Sequence, residues 1–526
     1  MTLDFWDEED VNDYDVVIVG AGLTGLSTAY NILRRKPSLN ILIIEGTDKA
    51  GGRILSQNYS ESFYASLLQE RVTQLIHRLN IDTCSTQNTD GKRVFFTKDG
   101  PVENFPSLFA AEIRYFIQVI QKNCLKPCFK NYVKNKITRK LAITSVDQLL
   151  KELVFFSYAR SICSSLIYST CGMRDLRKLS ALWMLIMLNG AGGLLDRLKV
   201  TMGDENRYFV QGGMAQLTKK LLKYIHAEHC DIIYGEIVTN IQFNDDRAYC
   251  YTKENCFKCD IIVIAVPPPE NSQIHIEPSL PAYVSQSQTL FLHSNNIFFN
   301  AFYKKPFWKD KYNGNVLATL ESNTILNIAY DATCNNEKRG IIAGFLNDTN
   351  FVSTSKLRLF ETLSQCFQNN ETKRYINYKE FQQPTNEDTE IKLESGWPMS
   401  VMQPSHVFNN VDQINASNDR ILFAASEYAT KWPGMIDGAI EIGEVTACLI
   451  LLKLRPQALE TADMIHVNIL FKHILDQISM FYFWYRSKSL SIQRSFQTEV
   501  AMMYYFCLAI NVAIFFSFLN MAYNKY

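Results

Sequence analysis

The chain carries no excess charge of either sign: 53 basic residues stand against 53 acidic ones in a length of 526. Such a balance gives no long-range attraction for a phosphate backbone, so nucleic acid is not an expected partner. A secretory leader is missing too. The opening MTLDFWDEEDVNDYD is acidic and has neither the basic stretch nor the apolar core that a leader needs. The 13 cysteines fall at no regular spacing, which fits a globular part facing a reducing compartment better than a disulfide scaffold. Cys256 and Cys259 are spaced C-x-x-C with Cys250 nearby. No fourth ligand lies close, and structural zinc wants four, so these read as cysteines of a strand–turn–strand and no metal is expected. Glycine is absent between Gly100 and Gly172, and the apolar-periodic runs there predict a series of helices. The length exceeds one ordinary core, so two or more domains are expected.

What the sequence does contain is concentrated in residues 16–45, VVIVGAGLTGLSTAYNILRRKPSLNILIIE. Residues 16–19 form a continuous apolar run, the mark of a strand buried on both faces. Gly20, Gly22 and Gly25 follow in the order G-x-G-x-x-G and open a helical segment. A second β-branched run then ends in the acid Glu45. Each part has a mechanical role in a dinucleotide-binding βαβ unit: Gly20 for the tight turn, Gly22 for close approach of a pyrophosphate, Gly25 for packing helix on strand. The pyrophosphate would rest on the N–H groups at the helix start, around Leu23 and Thr24, while Glu45 would accept from ribose hydroxyls. A glycine triplet alone is weak evidence; strand, triplet, helix, strand and acid in register are strong evidence.

Gly51, Gly52 and Arg53 follow the acid after a short loop. This entry resembles that of the flavin-dependent amine oxidases, most closely the monoamine oxidases. The likeness continues through residues 180–183 (SALW), 209–213 (FVQGG), 263–268 (VIAVPP), 305–308 (KPFW) and 423–443, in the family's order. It covers roughly the first 455 residues plus a membrane tail. It implies an α/β fold in which a Rossmann-like FAD-binding domain (14–82, 204–284 and 390–455) interleaves with an α+β substrate domain (83–203 and 285–389). Before these lies an acidic segment, 1–13, and after them a membrane-proximal segment, 456–499. Beyond Gly20, Gly22, Leu23, Thr24, Gly25 and Glu45, the implied cofactor contacts are Gly52, Arg53, Val238 (on a strand over 237–239), Glu427, Trp432 and Met435. Pro433 would open the helix that follows, with Gly434, Gly438 and Gly443 letting it run close to the flavin and its N-terminus facing the flavin's pyrimidine ring. The implied reaction takes a hydride equivalent from the carbon beside an amine, with oxygen restoring the flavin and yielding peroxide.

The orienting groups of the family are changed. Residues 65–68, Ala-Ser-Leu-Leu, replace an acid and a glycine pair on one side of the flavin. Residues 395–399, Ser-Gly-Trp-Pro-Met, carry no thiol where the monoamine oxidases attach flavin, so the FAD is expected to be non-covalent. The two aromatic cage positions fall on Met399 and Met435, the lysine that holds a water on Phe298, and the cavity glutamine on Glu205. Thioethers fill volume but lack the flat electron-rich faces that align an amine. Small aromatic monoamines are therefore expected to be poor substrates unless Trp397 or Trp432 rebuilds the cage. Three readings stay open: a flavoprotein oxidase of a changed small-molecule substrate, an amine or not, larger or more apolar than the family's; a silent relative that binds FAD as a structural or regulatory ligand; and a tethered binding protein with an empty nucleotide fold.

At the C-terminal end, residues 500–519 (VAMMYYFCLAINVAIFFSFL) hold no charge, and a helix of that length spans about 30 Å, the thickness of a bilayer core. This predicts a single-pass tail anchor in contact with membrane lipid, with a cytosolic globular part, and favours the mitochondrial outer membrane over the endoplasmic reticulum. Residues 465–485 read either as an interfacial helix or as a packed amphipathic one. A homodimer is left open.

Overall fold

The strand β1 (Asn12–Val19) buries its last four residues completely, as a continuous β-branched run must when both faces of a sheet are covered. It leads through the glycine turn into α1 (Leu23–Leu33) and back to β2 (Ile41–Glu45), parallel to β1. The computed structural model describes residues 12–36, 38–54, 63–85, 91–125, 136–202, 207–294, 296–322, 324–334, 339–347, 354–381, 400–405 and 420–460. Residues Met1–Ala458 form one compact unit and Leu459–Tyr526 a second.

β1 is central in an eight-stranded sheet. On one side lie β2 and Asp231–Tyr234, both parallel to their neighbours; on the other lies Cys256–Ile264, followed by Ala248–Tyr251, Asn240–Phe243 and His275–Glu277. The late strand Ile421–Phe423 adds in parallel beside Cys256–Ile264. A seven-stranded sheet is built from Lys92–Thr97, Gly100–Val102 and the five strands between Ile297 and Phe381. Its core gathers Phe299, Trp308 and Tyr312 with Leu359, Phe360 and Leu363 of the helix Thr354–Cys366. The glycine-free stretch is helical, as its periodicity predicts: Ser107–Cys124, Lys136–Ile143, Val146–Leu153 and Ser157–Cys171. Ser145 and Gln148 make a reciprocal capping box at the start of the third. Gly172, at φ +74°, ends the fourth in the left-handed conformation that glycine tolerates best.

Two local expectations are corrected. Residues 237–239 are not a strand but the extended link between Asp231–Tyr234 and Asn240–Phe243. The C-terminal helix begins at Ile436 with Met435 as its N-cap, not at Pro433. Trp432 (φ +51°) and Gly434 (φ +72°) turn the chain sharply before it, held by Trp432 N–H to Gly190 O (3.1 Å) and Gly434 N–H to Ser426 O (3.0 Å). No helix among the described residues is long and apolar enough to cross a membrane; residues 465–485 and 500–519 lie outside the described ones. Cys250, Cys256 and Cys259 are buried thiols of the antiparallel pair Ala248–Tyr251 and Cys256–Ile264. Cys84 and Cys334 are disulfide-bonded across 250 residues of sequence, a single tertiary pairing that cysteine spacing cannot disclose.

The helix Ile436–Leu454 lies against α1 because neither offers bulk at the crossing. A Cβ on Gly443 would stand 2.5 Å from Cβ of Ser27. Alanine there gains about 0.8–1 kcal/mol in helix propensity, but overpacking costs about 1–3 kcal/mol. Gly443→Ala is therefore expected to lower stability, and Ser27→Gly in the same chain to recover at least half of the loss, as read by thermal or urea unfolding. Additive losses in the double variant would show that the two residues do not meet.

Candidate functional site

A cavity of about 660 Å³ opens where the glycine turn, the ends of β1 and β2 and the N-terminus of Ile436–Leu454 come together. One wall is the nucleotide motif. Gly20 takes φ +103°, and a Cβ on Gly25 would lie 2.0 Å from Gly20 O, so helix and turn touch backbone to backbone. Around Gly22 a Cβ would meet nothing within 4 Å. The bare glycine thus faces open space at the start of α1, whose first turn has no side-chain cap and no acid. Such a terminus presents free N–H groups and the positive end of the helix dipole to an anion.

Glu45 ends β2 at the same place. Its Oε2 accepts from Ala21 N–H (2.7 Å) and its Oε1 from the N–H (3.0 Å) and hydroxyl (2.8 Å) of Thr47. The carboxylate is fixed from behind, with lone pairs left toward the cavity that it lines. Gly51 N–H donates to Ala21 O (2.9 Å), which brings the second glycine pair beside the first. Arg53 lines the cavity and makes a two-pronged pair with Glu427: Nη1 to Oε1 2.7 Å and Nη2 to Oε2 3.2 Å, with Nη2 also donating to Ser426 Oγ at 2.8 Å. Burial alone would raise the Glu427 carboxyl, but the Arg53 guanidinium overcomes it and holds it below the usual carboxylate range. The pair ties residues 53 and 427 at one point of the wall.

The opposite wall carries Phe63, Tyr64, Gln69, Tyr168, Arg197, Asn327, Tyr330 and Met435. Tyr64 and Tyr330 meet edge to face at 5.0 Å, and the Arg207 guanidinium lies 5.8 and 6.0 Å from their ring centroids. Gln69 Nε2 reaches Met435 Sδ at 3.8 Å. Ala65 and Ser66 complete a short strand, Tyr64–Ser66, paired with Arg207–Val210, and Leu67 and Leu68 follow it in a turn.

Of the residues singled out from sequence, Gly20, Gly22, Leu23, Thr24, Glu45, Gly52, Arg53, Val238 and Met435 line this one cavity. Gly25 and Glu427 stand just behind it, as packing point and ion-pair partner. Trp432 is buried against Val200 and Ala191 rather than facing the cavity. Phe298 is corrected in the same way: it is fully buried, stacked on Phe63 at 4.2 Å and against Phe345 at 5.2 Å, one layer behind the surface that those two rings provide. Gly434 lines the cavity, whereas Gly438 packs on Trp432 O and Gly443 on Ser27, so the helix does not run along the cavity on its glycines. Glu205, Trp397, Pro398 and Met399 lie outside the described residues. Sequence reasoning missed Arg197 and Asn327. The signal for Arg197 was present: Leu194, Arg197 and Val200 repeat every three residues on the buried face of the helix Leu194–Met202, so a charge occupies an apolar position.

Asp437, in the first turn of Ile436–Leu454, is 1% exposed and accepts from Val72 N–H at 2.9 Å. Burial pushes its carboxyl up to about 6, against the pull of Val72 N–H and of Arg71. A folded-state value above the unfolded one means that ionised Asp437 lowers stability above about pH 6, and that this loss is relieved as pH falls toward 4. Asp437→Asn should gain on the parent by about 2–3 kcal/mol more at pH 7.5 than at pH 4, measured by unfolding at both. A difference that does not move with pH would refute the buried carboxyl.

The comparisons with known proteins accord with this geometry. The family of flavin containing amine oxidoreductases matches over residues 23–451. Amine oxidase [flavin-containing] A of Canis lupus familiaris is 24% identical over 469 residues, 83% of this chain and 85% of that one. Amine oxidase [flavin-containing] B of Homo sapiens is 23% identical, over 84% and 86%. Among solved structures, cyclohexylamine oxidase from Brevibacterium oxydans IH-35A superposes with a TM-score of 0.73 at 18% identity, covering 84% of this chain and 99% of that one. A putrescine oxidase bound to putrescine gives 0.71 at 20% identity, over 84% and 100%. With over four-fifths of its length matched, this chain belongs to the flavin-containing amine oxidase family, whose cofactor is FAD.

Proposed function

We propose that this protein is a membrane-anchored oxidase of an amine, with oxygen as electron acceptor and peroxide as product, and that it holds FAD without a covalent bond. The observation that carries the reading is the single cavity in which an anion-ready helix start, a ribose-ready carboxylate and a largely aromatic and polar second wall face one another. Bound there, FAD would supply the acceptor for the hydride equivalent taken from the carbon beside the amine nitrogen. The chain's own task is placement. The N–H groups at Leu23 and Thr24 hold pyrophosphate, Glu45 accepts from the ribose hydroxyls, and Val238 meets the adenine side. Arg53, fixed by Glu427 and Ser426, closes the wall beside the second glycine pair. Tyr64, Tyr330 and Met435 shape the space left for substrate and exclude water from it. In domain terms, the eight-stranded sheet belongs to the FAD-binding part and the seven-stranded sheet to the substrate part.

A silent relative is the second reading. Phe298 in place of a lysine and Met435 in place of an aromatic ring remove two groups that would align an amine. Absorbance of the purified protein, before and after a panel of amines under nitrogen, separates the readings: bleaching of the flavin with peroxide on re-aeration supports the oxidase, and a bound but unresponsive flavin supports the silent relative. Acid precipitation should leave yellow flavin in the supernatant; flavin in the pellet would reveal a covalent link. Glu45→Ala should weaken FAD retention by about 1.5–3 kcal/mol, the range for a hydrogen bond to a charged group.

The uncharged run at residues 500–519 supports a tail anchor. Removing residues 500–526 should release the protein from carbonate-washed membranes. Continued association would place the anchor elsewhere, with residues 465–485 the first place to look.

A further inference from the structure

The aromatic wall of the cavity is stapled by a covalent bond. In the three-stranded sheet of Tyr64–Ser66, Arg207–Val210 and Thr83–Ser85, Tyr64 and Cys84 stand opposite Phe209 from its two sides. Residues so paired share one face of a sheet. Tyr330 belongs to the strand Leu326–Asp331 of the seven-stranded sheet, and Cys334 follows three residues beyond its end. That end is fixed by Ala332 N–H to Ile341 O (2.8 Å) and Ile341 N–H to Thr333 Oγ1 (2.9 Å). Tyr64 and Tyr330 line the cavity and meet edge to face, and the Cys84–Cys334 disulfide joins the same two pieces of chain. Cys84, Phe209, Phe298 and Tyr330 form one apolar cluster, with Tyr64 and Cys334 packed against it. The bond therefore lies directly behind the wall. It closes a loop of 250 residues, and a long loop is where a crosslink restrains the chain most. Chemistry from solvent reaches this pair before any other described cysteine. The nine free ones are all buried, whereas Cys334 is only half-buried.

We propose that Cys84 and Cys334 are a thiol–disulfide switch for this wall. The disulfide holds Tyr64 against Tyr330 and shapes the cavity; reduction by a glutathione-class thiol lets the two sheets part there. In opening, a reductant thiolate attacks the Cys334 sulfur, the S–S bond breaks and Cys84 leaves as thiolate. A second reductant thiolate displaces Cys334 from the mixed disulfide. The two protons shed by the reductant end on Cys84 and Cys334, and two external thiols have become one external disulfide. In closing, the oxidant is hydrogen peroxide. The Cys334 thiolate attacks one oxygen, the O–O bond breaks, and a sulfenic acid and hydroxide form. The Cys84 thiolate then attacks that sulfur and expels a second hydroxide. With the two thiol protons these make two waters, so both sulfurs are oxidised by one electron each and the peroxide is reduced by two. The proposal rests on the oxidase reading only for the source of the peroxide. This part of the chain is expected to face a reducing compartment, where a disulfide persists only while an oxidant renews it. Turnover would thus keep the cavity wall closed.

The test uses the full-length, FAD-loaded protein with added glutathione and then added hydrogen peroxide. Differential alkylation and mass spectrometry report the state of each cysteine. Hydrogen exchange reports the wall, and iodide quenching of flavin fluorescence reports access to the cavity. Glutathione should open Cys84–Cys334 in the folded protein while the nine buried thiols stay unlabelled. Exchange should then rise by about tenfold or more in Tyr64–Ser66 and Leu326–Asp331, with Ile41–Glu45 unchanged. Quenching should rise with it, and peroxide should reverse both changes. Cys334→Ser should show the open wall throughout and give no response to either reagent. A disulfide that resists glutathione until the protein unfolds would overturn the proposal. So would a wall whose exchange is the same in both states, or a peroxide response that survives Cys334→Ser. Where Cys334→Ser does not accumulate as folded protein, chemical reduction and re-oxidation of the parent decide. Because the peroxide is added, failure of the oxidase reading shows separately, as no flavin bleaching by any amine. A protein purified without FAD would count against that reading too, and hydrogen exchange then decides the switch by itself.

Discussion

The site depends on three close approaches at each of which one partner is a glycine. Gly25 rests on the carbonyl of Gly20, Gly443 rests on Ser27, and Gly52 lies against Gly22, where a Cβ would come within 3.1 Å of the Gly22 Cα. These contacts fix the start of α1 to within hydrogen-bond precision. Ala21 can then donate to Glu45 while its carbonyl accepts from Gly51. The acid, the helix dipole and the second glycine pair are therefore not separate features gathered at one place. They follow from one close approach, and a methyl group at Gly25 would disturb all of them together.

Charge on the nucleotide side is answered within the protein: Arg53 and Glu427 neutralise one another, and Glu45 is held by amide and hydroxyl donors. Removing one partner of such a buried pair costs about 3–5 kcal/mol, because the other charge is left stranded. That side is built to stay as it is, whatever ligand arrives. On the other wall Arg197 Nε donates to the Thr170 carbonyl at 3.0 Å, and Tyr64 and Tyr330 meet edge to face at 5.0 Å.

This division explains how much could be read from the residues alone. The βαβ unit, its turn and its acid are local in sequence, and glycine at Gly20 and Gly25 is demanded by backbone geometry that one residue type meets best, so the pattern announces itself. The helices between Gly100 and Gly172 were legible for a related reason, since periodicity and the Ser145 cap are local properties. The turn at 432–434 was not. Pro433 is a good helix opener in isolation, yet a hydrogen bond to Gly190, more than two hundred residues away, holds Trp432 at positive φ and delays the helix to Ile436. Phe298 shows the same limit: the resemblance puts it at a substrate-site position, but only the stack on Phe63 shows that the ring lies behind the cavity surface. Arg197 was visible as a charge on a buried face, but its value depends on what Ser157–Cys171 and the seven-stranded sheet bring opposite.

At 23–24% identity to the amine oxidases A and B, conservation of fold and divergence of wall have a common physical origin. Glycines at which an added Cβ would stand 2–3 Å from a neighbour tolerate almost no change, because that single carbon forces the packed elements apart. Side chains facing a cavity, such as Met435, have no such neighbours on one side, so an exchange there leaves packing behind the surface intact. A cavity of about 660 Å³ can absorb those changes without loss of the fold. The nucleotide end is consequently the part that family membership predicts, and the substrate end is the part where this chain's own residues decide the chemistry.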